Sequence, residues 1–147
     1  MNETPDIHSV WKDAQEKERK IWLESNQPES YFIEHWSELL RKAPLILRSL
    51  SRAEAVLDVA CGGVPILHAL PRTKRMVATD PLNRDFAVLY PRKEWIQYDH
   101  FCAESLPYED AAFDVVFCMN ALDHMSNPQV AVRQMLRVLK PGGWLHL

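Results

Sequence analysis

Apolar and polar positions in the first fifty residues repeat with a helical period. Over residues 7–22 the apolar side chains recur about every three or four positions, and the segment KDAQEKERK supplies a polar face. The segment NQPES interrupts this pattern, and a second helical stretch covers residues 31–50. Because a proline inside a helix removes a backbone hydrogen bond, Pro44 predicts a kink or division near Ala43. Residues 1–50 are therefore expected to form an N-terminal helical segment, a cap or lid.

The pattern changes over residues 51–147, where short apolar runs alternate with helical segments. Such alternation predicts a parallel sheet flanked by helices that fill the gaps between strands. The strand candidates are residues 55–60, 75–79, 96–102, 113–118 and the run from Trp144 onward.

The last helix carries the clearest signals at its two ends. In SNPQVAVRQMLRVLKPGG, Asn127 is predicted as the N-cap and Pro128 as the first helical residue, where its missing N–H costs nothing. The segment KPGG is expected to end the helix. The apolar residues expected to face the sheet are Val132, Met135, Leu136 and Leu139.

The composition indicates which classes of protein the chain can belong to. The 147 residues suit one domain, and a content of 47% hydrophobic and 25% charged residues is typical of a globular protein. No apolar run approaches the roughly 20 residues of a membrane span, and the polar N-terminus does not resemble a signal peptide, so a cytoplasmic location is expected. With a net charge of −3 no nucleic-acid partner is expected, and three widely separated cysteines predict neither a metal site nor a disulfide scaffold.

Candidate chemistry lies just after the strands, because ligands of such sheets bind outside the carboxyl ends of the strands. The first strand leads into DVACGG, in which Asp58 could order the loop or take up a cationic group. Glycines at 62 and 63 would let the backbone approach a ligand. The turn lacks the G-x-G-x-x-G pattern, which disfavours a dinucleotide.

The next two strand ends add a carboxylate and a turn. Asp80 ends VATD and could accept hydrogen bonds from both hydroxyls of a ribose, although a helix N-cap is an equally open interpretation. Residues 103–106 are expected to form a turn whose backbone could contact a flat base.

Four segments in this order, VLDVACGG, VATDPL, CAESLPYEDAAFDVVFCMNALDHMSNP and QMLRVLKPGGWL, resemble the class I S-adenosylmethionine-dependent methyltransferases. Within that family they are most similar to the subgroup that includes the ubiquinone and menaquinone C-methyltransferases. The resemblance covers residues 53–147. It implies an α/β fold, a Rossmann-like three-layer sandwich with a mostly parallel sheet of strand order 3-2-1-4-5. It also implies S-adenosylmethionine as cofactor, S-adenosylhomocysteine as product and a small-molecule methyl acceptor.

The resemblance also implies residue roles. Asp58 and the backbone of residues 60–62 would face the methionine end of the cofactor, Asp80 would bind the ribose, and Leu82 and Ala103 would flank adenine. The cofactor-binding candidates are thus Asp58, Ala60, Cys61, Gly62, Asp80, Pro81, Leu82, Cys102, Ala103, Glu104, Met119 and Asn120.

Two residues after the fourth strand are catalytic candidates, His124 and Asp123. The ordinary pKa of histidine suits a proton acceptor near neutral pH, but a solvated or helix-capping loop histidine is the competing interpretation. For Tyr31 and Trp36 the alternatives are a lid over the site and ordinary core packing.

The chain departs from the family pattern in three respects. Ala60 and Val64 stand where the family usually has glycines, and Cys102 stands where an aspartate commonly receives the adenine amino group, which predicts weaker cofactor affinity. The chain also stops after the fifth strand, so the sheet is expected to be incomplete, as a truncated protein or a fragment, with an edge strand free for homo-oligomer pairing. A methyltransferase is the leading hypothesis, an inactive binding or scaffold module is the alternative, and a nicotinamide-dependent oxidoreductase is disfavoured.

Overall fold

The N-terminal residues form three helices, as the pattern predicts. The structure is a computed structural model that describes residues 7–147, with side chains from residue 9 onward. The helices are α1 (Ile7–Glu24), α2 (Glu29–Lys42) and α3 (Pro44–Leu50). The chain divides at Ala43, whose N–H still donates to the Leu39 carbonyl oxygen at 2.9 Å, while Pro44 begins the next helix. Among the described residues, no helix is both long and apolar enough to cross a membrane.

Five parallel strands form the sheet. They are β1 (Ala55–Val59), β2 (Arg75–Thr79), β3 (Gln97–Asp99), β4 (Phe113–Phe117) and β5 (Leu139–His146), in the order β3-β2-β1-β4-β5. This order confirms the predicted Rossmann-like sheet. Every residue of β1 is buried, as expected of a central parallel strand covered on both faces.

The sheet separates two apolar clusters, which makes the sandwich three layers thick. On β1, Leu57 and Val59 pack in the same cluster as α5 (Pro128–Val138), while Val56 packs in the cluster that contains α2 and α3 residues. Successive side chains of a strand point to opposite faces, so this alternation follows from the strand geometry.

The connections differ from the prediction that helices fill every gap. Helix α4 (Asn83–Leu89) joins β2 to β3 and α5 joins β4 to β5, but β1 and β2 are joined only through a short 3₁₀ turn, Ile66–Ala69. Pro65 precedes this turn and Pro71 follows it. Because a residue before proline is disfavoured in the helical region, Leu70 is extended (φ −92°, ψ 152°) and the turn cannot lengthen. No helix joins β3 to β4 in the described chain.

Helix α5 confirms its predicted start and corrects its predicted end and one predicted face. The helix ends at Val138, so KPGG does not terminate it but lies in β5, and Leu139, predicted to face the sheet from the helix, is the first residue of that strand. Asn127 is the N-cap, and its side chain accepts a hydrogen bond from the Val130 N–H at 3.1 Å. The buried residues are Ala131, Met135 and Val138. The prediction that Leu136 faces the sheet is wrong, since it is 53% exposed and lies about 100° around the helix from Met135.

Two strand boundaries also differ from the predictions. Strand β5 begins at Leu139 rather than at Trp144, with a register irregularity opposite residues 113–115 of β4. Strand β3 covers only three residues of the predicted run 96–102. In the described sheet β5 is an edge strand paired with β4, and pairing of its other edge with a second chain stays a prediction that sedimentation can test.

A buried polar network ties α2 to the sheet. The His68 side chain is fully buried, with Nδ1 3.0 Å from Glu29 Oε1 and Nε2 2.7 Å from the Tyr98 hydroxyl. Lys93 Nζ lies 2.8 Å from the same Glu29 oxygen. Burial lowers the pKa of His68, although Glu29 opposes this effect. Burial alone would raise the pKa of Glu29, but hydrogen bonds from Lys93 and His68 outweigh it and lower that pKa.

This network predicts loss of stability in mild acid. The folded-state pKa of His68 lies below its unfolded value of about 6.5, so as the pH falls through that value the unfolded chain binds a proton more readily. We expect the free energy of unfolding to decrease between pH 7.5 and 5.5, by on the order of 1 kcal/mol, in urea titrations.

His68→Gln should reduce this pH dependence, because an amide keeps a donor and an acceptor but does not titrate in that range. Burial also lowers the pKa of His146, so His146→Gln should reduce the same pH dependence independently of His68. An unchanged pH dependence in His68→Gln would contradict the assignment.

Candidate functional site

A cavity of about 340 Å³ lies at the carboxyl ends of the strands, between the sheet and the first two helices. We call the wall formed after the strands the floor. It comprises Ala60, Cys61, Gly62 and Val64 after β1, Asp80, Pro81 and Leu82 after β2, Cys102, Ala103 and Glu104 after β3, and Met119, Asn120 and Ala121 after β4. Eleven of the twelve cofactor candidates are therefore brought together in one cavity, and Asp58 is the exception.

The opposite wall, which we call the roof, comes from the N-terminal helices. It comprises Trp11, Gln15, Glu18 and Trp22 of α1 and Tyr31, Phe32, His35 and Trp36 of α2. Tyr31 and Trp36 thus line the cavity, and the Trp36 indole donates from Nε1 to the Val64 carbonyl oxygen at 2.9 Å. The other roof residues were not predicted, although the aromatic residues recurring with helical period on α1 were a usable signal.

The turn after β1 is held in an unusual backbone conformation. Ala60 has φ +53° and Gly62 has φ +64°, both in the left-handed region that favours glycine. The Cys61 N–H donates to the Thr79 carbonyl oxygen at 3.3 Å. The missing glycine at position 60 is therefore a strained alanine, and the turn keeps the backbone path that a glycine would adopt.

The two adjacent glycines are required by the roof. A Cβ at Gly63 would lie 2.6 Å from Tyr90 Cε2 and 3.0 Å from Trp22 Cζ3, and a Cβ at Gly62 would lie 3.2 Å from Trp22 Cζ2. Trp22 itself stacks on Phe32 with ring centroids 5.2 Å apart. The sequence predicted that these glycines let the backbone approach a ligand, whereas in the structure the side chains of Trp22, from α1, and Tyr90, after α4, fill the space beside them.

Asp58 is buried beneath the floor and orders the loop. Its Oδ2 accepts a hydrogen bond from the Ile66 N–H at 3.1 Å, and its side chain does not line the cavity. Burial raises the pKa of Asp58 to about 8, with the nearby charge of Asp80 adding to the effect and the Ile66 N–H opposing it. Of the two roles considered for Asp58, its contacts are those of loop ordering.

Asp80 joins the turns after β1 and β2. Its Oδ2 accepts from the Gly62 N–H at 3.0 Å, and its Oδ1 accepts from the Leu82 N–H at 2.9 Å. The N-cap position of α4 is Leu82, so Asp80 is not the helix cap. Burial raises the pKa of Asp80, while the two N–H donors oppose the shift. A carboxylate offers about four acceptor positions, so Asp80 can accept further hydrogen bonds from a ligand in the cavity.

The loop after β3 presents one structural carboxylate and one thiol. Glu104 Oε1 accepts from Ser126 Oγ at 2.8 Å and from the Asn127 N–H at 3.0 Å, which fixes this loop to the start of α5. Cys102 is partly buried in the cavity wall, and burial raises the pKa of its thiol. The thiol is a weak hydrogen-bonding group, in keeping with the predicted loss of an adenine contact.

The two catalytic candidates lie in different surroundings. His124 lines the cavity, and its Nδ1 lies 3.4 Å from Glu18 Oε2 of the roof. The Asp123 side chain is 83% exposed and does not line the cavity, with Oδ2 3.7 Å from His124 Nε2. The geometry therefore offers His124 to a ligand and leaves Asp123 in solvent.

Comparison with known proteins gives the family. A family model described as a methyltransferase domain matches residues 57–147, more than half of the chain. The chain belongs to this methyltransferase family. The resemblance to class I S-adenosylmethionine-dependent methyltransferases is confirmed, and with it the cofactor that the family uses.

The curated relatives of this chain are longer proteins. A ubiquinone biosynthesis O-methyltransferase of Paracidovorax citrulli is 37% identical over 97 residues, 61% of this chain and 41% of that protein. A 27-O-demethylrifamycin SV methyltransferase of Amycolatopsis mediterranei is 32% identical over 106 residues, 67% of this chain and 39% of that protein. The chain thus spans about two fifths of the length of these relatives.

Solved structures share the fold. The YcgJ protein of Bacillus subtilis matches with a TM-score of 0.58 and 28% identity, over 71% of this chain and 49% of that chain. A methyltransferase of Thermotoga maritima, 19% identical, matches 94% of this chain and 58% of that chain with a TM-score of 0.59, which supports the fold alone.

No group of three or more potential metal ligands occurs in the part of the chain that the structure describes.

The strained turn predicts a stabilising substitution. Ala60→Gly should raise the free energy of unfolding by about 0.5–1 kcal/mol, because relief of the left-handed strain exceeds the entropy cost of glycine. Ala111, with φ +52° outside the cavity, gives the matched control Ala111→Gly with a similar gain. Thermal and urea unfolding measure both variants, and a loss of stability in Ala60→Gly would contradict the strain.

Proposed function

We propose that this chain binds S-adenosylmethionine at the floor of the cavity and transfers its methyl group to a small-molecule acceptor. The observation that supports this most is the Asp80 carboxylate, which is buried in the cavity wall and held by the turns after both β1 and β2. A cytoplasmic location and the absence of a nucleic-acid partner remain predictions of the sequence.

The residues present fit the cofactor. Asp80 retains acceptor capacity for ribose hydroxyls, and Leu82 and Ala103 offer apolar surface on either side of a flat base. The left-handed turn at Ala60 and Gly62 brings backbone atoms to the cavity surface without a large side chain. Met119 and Asn120 follow β4, which pairs with β1 on the side opposite to β2, and they form that part of the floor.

When bound, the cofactor supplies a methyl group made electrophilic by a positively charged sulfur, which keeps the bonding electron pair as the acceptor's lone pair forms the new bond. The protein's contribution is to hold donor and acceptor in line and to exclude water. The roof contributes to both alignment and exclusion of water, since Trp22 and Phe32 close the cavity over the floor. Helices α1 and α2 accordingly act as the cap, while residues 1–6 of the predicted cap segment lie outside the described residues.

His124 is the proposed proton acceptor for an acceptor hydroxyl. It lines the cavity, with Glu18 Oε2 3.4 Å from Nδ1 and Asp123 Oδ2 3.7 Å from Nε2, and the ring nitrogen that carries no proton is the one that accepts the hydroxyl proton. The His124 side chain is 47% exposed, so the proton can pass on to solvent. The names of the curated relatives do not favour the alternative of an inactive binding or scaffold module.

Calorimetric titration tests the cofactor site. We expect heat on addition of S-adenosylmethionine and S-adenosylhomocysteine but not of NAD. Asp80→Asn should weaken binding of S-adenosylhomocysteine by about 1–3 kcal/mol, because one charged acceptor is lost. Asp13→Asn, at an exposed position of α1 outside the cavity lining, is the matched control and should leave the affinity unchanged.

Circular dichroism must show that both variants are folded. Unchanged affinity in folded Asp80→Asn would mean that the ribose lies elsewhere. Absence of heat with either methionine derivative at millimolar concentration would contradict the proposed function itself.

A second substitution should raise the affinity of the site for the cofactor. Cys102→Asp places a carboxylate where the family commonly has one, and its hydrogen bond to the adenine amino group should tighten binding of S-adenosylhomocysteine by about 1.5 kcal/mol. Cys102→Ser, which lacks the charge, is the control. Weaker binding in Cys102→Asp would indicate that repulsion from Asp80 and Glu104 outweighs the new hydrogen bond.

A further inference from the structure

The charged side chains around the cavity are of one sign. Among the residues that the structure describes, three carboxylates line the cavity, Glu18, Asp80 and Glu104, and no lysine or arginine does. Proteins recognise carboxylates and phosphates mainly with arginine and lysine. An acceptor that carries either group would therefore meet like charge here with no compensating cation.

Two of these carboxylates belong to the floor and already accept hydrogen bonds there, and the third, Glu18, belongs to the roof. Asp80 and Glu104 each accept two hydrogen bonds from floor and loop residues. Glu18 is 28% exposed, accepts from Trp22 Nε1 at 2.9 Å, and extends its second oxygen toward His124. Burial is the main cause of the raised pKa of Asp80, and the negative charge of Glu18 adds to it.

Aromatic rings line the roof together with Glu18. Trp11, Tyr31 and Trp36 line the same wall, and Trp36 is oriented by its hydrogen bond to the Val64 carbonyl oxygen. The faces of such rings attract cations, most strongly where water is excluded. A carboxylate in a wall of aromatic rings, in a cavity lined by no lysine or arginine among the described residues, is the chemistry that binds an organic cation.

We propose that the methyl acceptor is an organic cation, a small amine whose protonated nitrogen lies against Glu18 and the aromatic rings of the roof. This inference rests on the proposed function. The methylated atom is then a hydroxyl or an unprotonated nitrogen elsewhere in the same molecule, because a protonated amine has no lone pair with which to attack. The cofactor's own sulfonium is a second source of positive charge, and the experiment separates the two.

The test uses three phenols that differ in charge: tyramine, the neutral 4-ethylphenol and the anionic 4-hydroxyphenylacetate. Each is titrated into the full chain saturated with S-adenosylhomocysteine, which carries no sulfonium, at neutral pH. Tyramine should bind about tenfold more tightly than either other probe. Glu18→Gln keeps an acceptor for Trp22 but removes the charge, and should abolish this advantage. Glu16→Gln, an exposed position on the same helix, should preserve it.

Three results would overturn the proposal: equal or tighter binding of the anion, an unchanged tyramine advantage in Glu18→Gln, or no binding of any probe at millimolar concentration. If Glu18 instead serves the sulfonium, Glu18→Gln will weaken S-adenosylmethionine more than S-adenosylhomocysteine and leave the probe ratios unchanged. Failure of the chain to bind either cofactor form would contradict the proposed function alone, because the probe ratios can still be measured on the free protein.

Discussion

The contact of Trp22 with Gly62 and Gly63 is the constraint on which the architecture of the site depends. The indole ring lies where any Cβ on these residues would crowd it, and it also stacks on Phe32 and packs against Phe86. Aromatic pairs of this kind contribute about 0.5–1.5 kcal/mol each beyond the area they bury. One side chain therefore joins α1, α2 and α4 to the turn after β1, and the cavity is the space that remains beside it.

Burial of carboxylates is the main electrostatic feature of the floor. Asp58 and Asp80 are both buried, and both are compensated by backbone N–H groups rather than by basic side chains. Such burial is costly for a charged group, and the raised pKa of each carboxyl is its consequence. A ligand that brings positive charge or hydroxyl donors into the cavity relieves this cost, which favours binding of the kind of cofactor that the family uses.

Glu18 also connects helix α1 to the loop after β4. One oxygen of Glu18 holds the Trp22 indole and the other approaches His124, which belongs to the loop after β4. The His68 network independently fixes the start of α2 to the sheet. Helices that the sequence pattern separates from the sheet are thus bound to it at several sites by buried or partly buried polar contacts, including the hydrogen bond from Trp36 to the Val64 carbonyl oxygen.

Local patterns were sufficient for the architecture of the chain. The apolar runs, the division at Pro44 and the cap at Asn127 predicted the elements correctly, because each depends on neighbouring residues. The errors came where distant residues decide: β5 begins earlier because β4 supplies a pairing partner, and the face of α5 is chosen by the sheet it covers.

In the candidate site, too, some features follow from the sequence and others only from tertiary packing. The sequence by itself determined floor residues such as Asp80, since these follow from the approximate positions of the strands and from family motifs. Only the tertiary structure decided that Asp58 lies beneath the cavity, that Glu18 approaches His124, and that the two glycines make room for Trp22. These contacts join residues far apart in the chain, and the distance between such side chains is set by packing rather than by any local pattern.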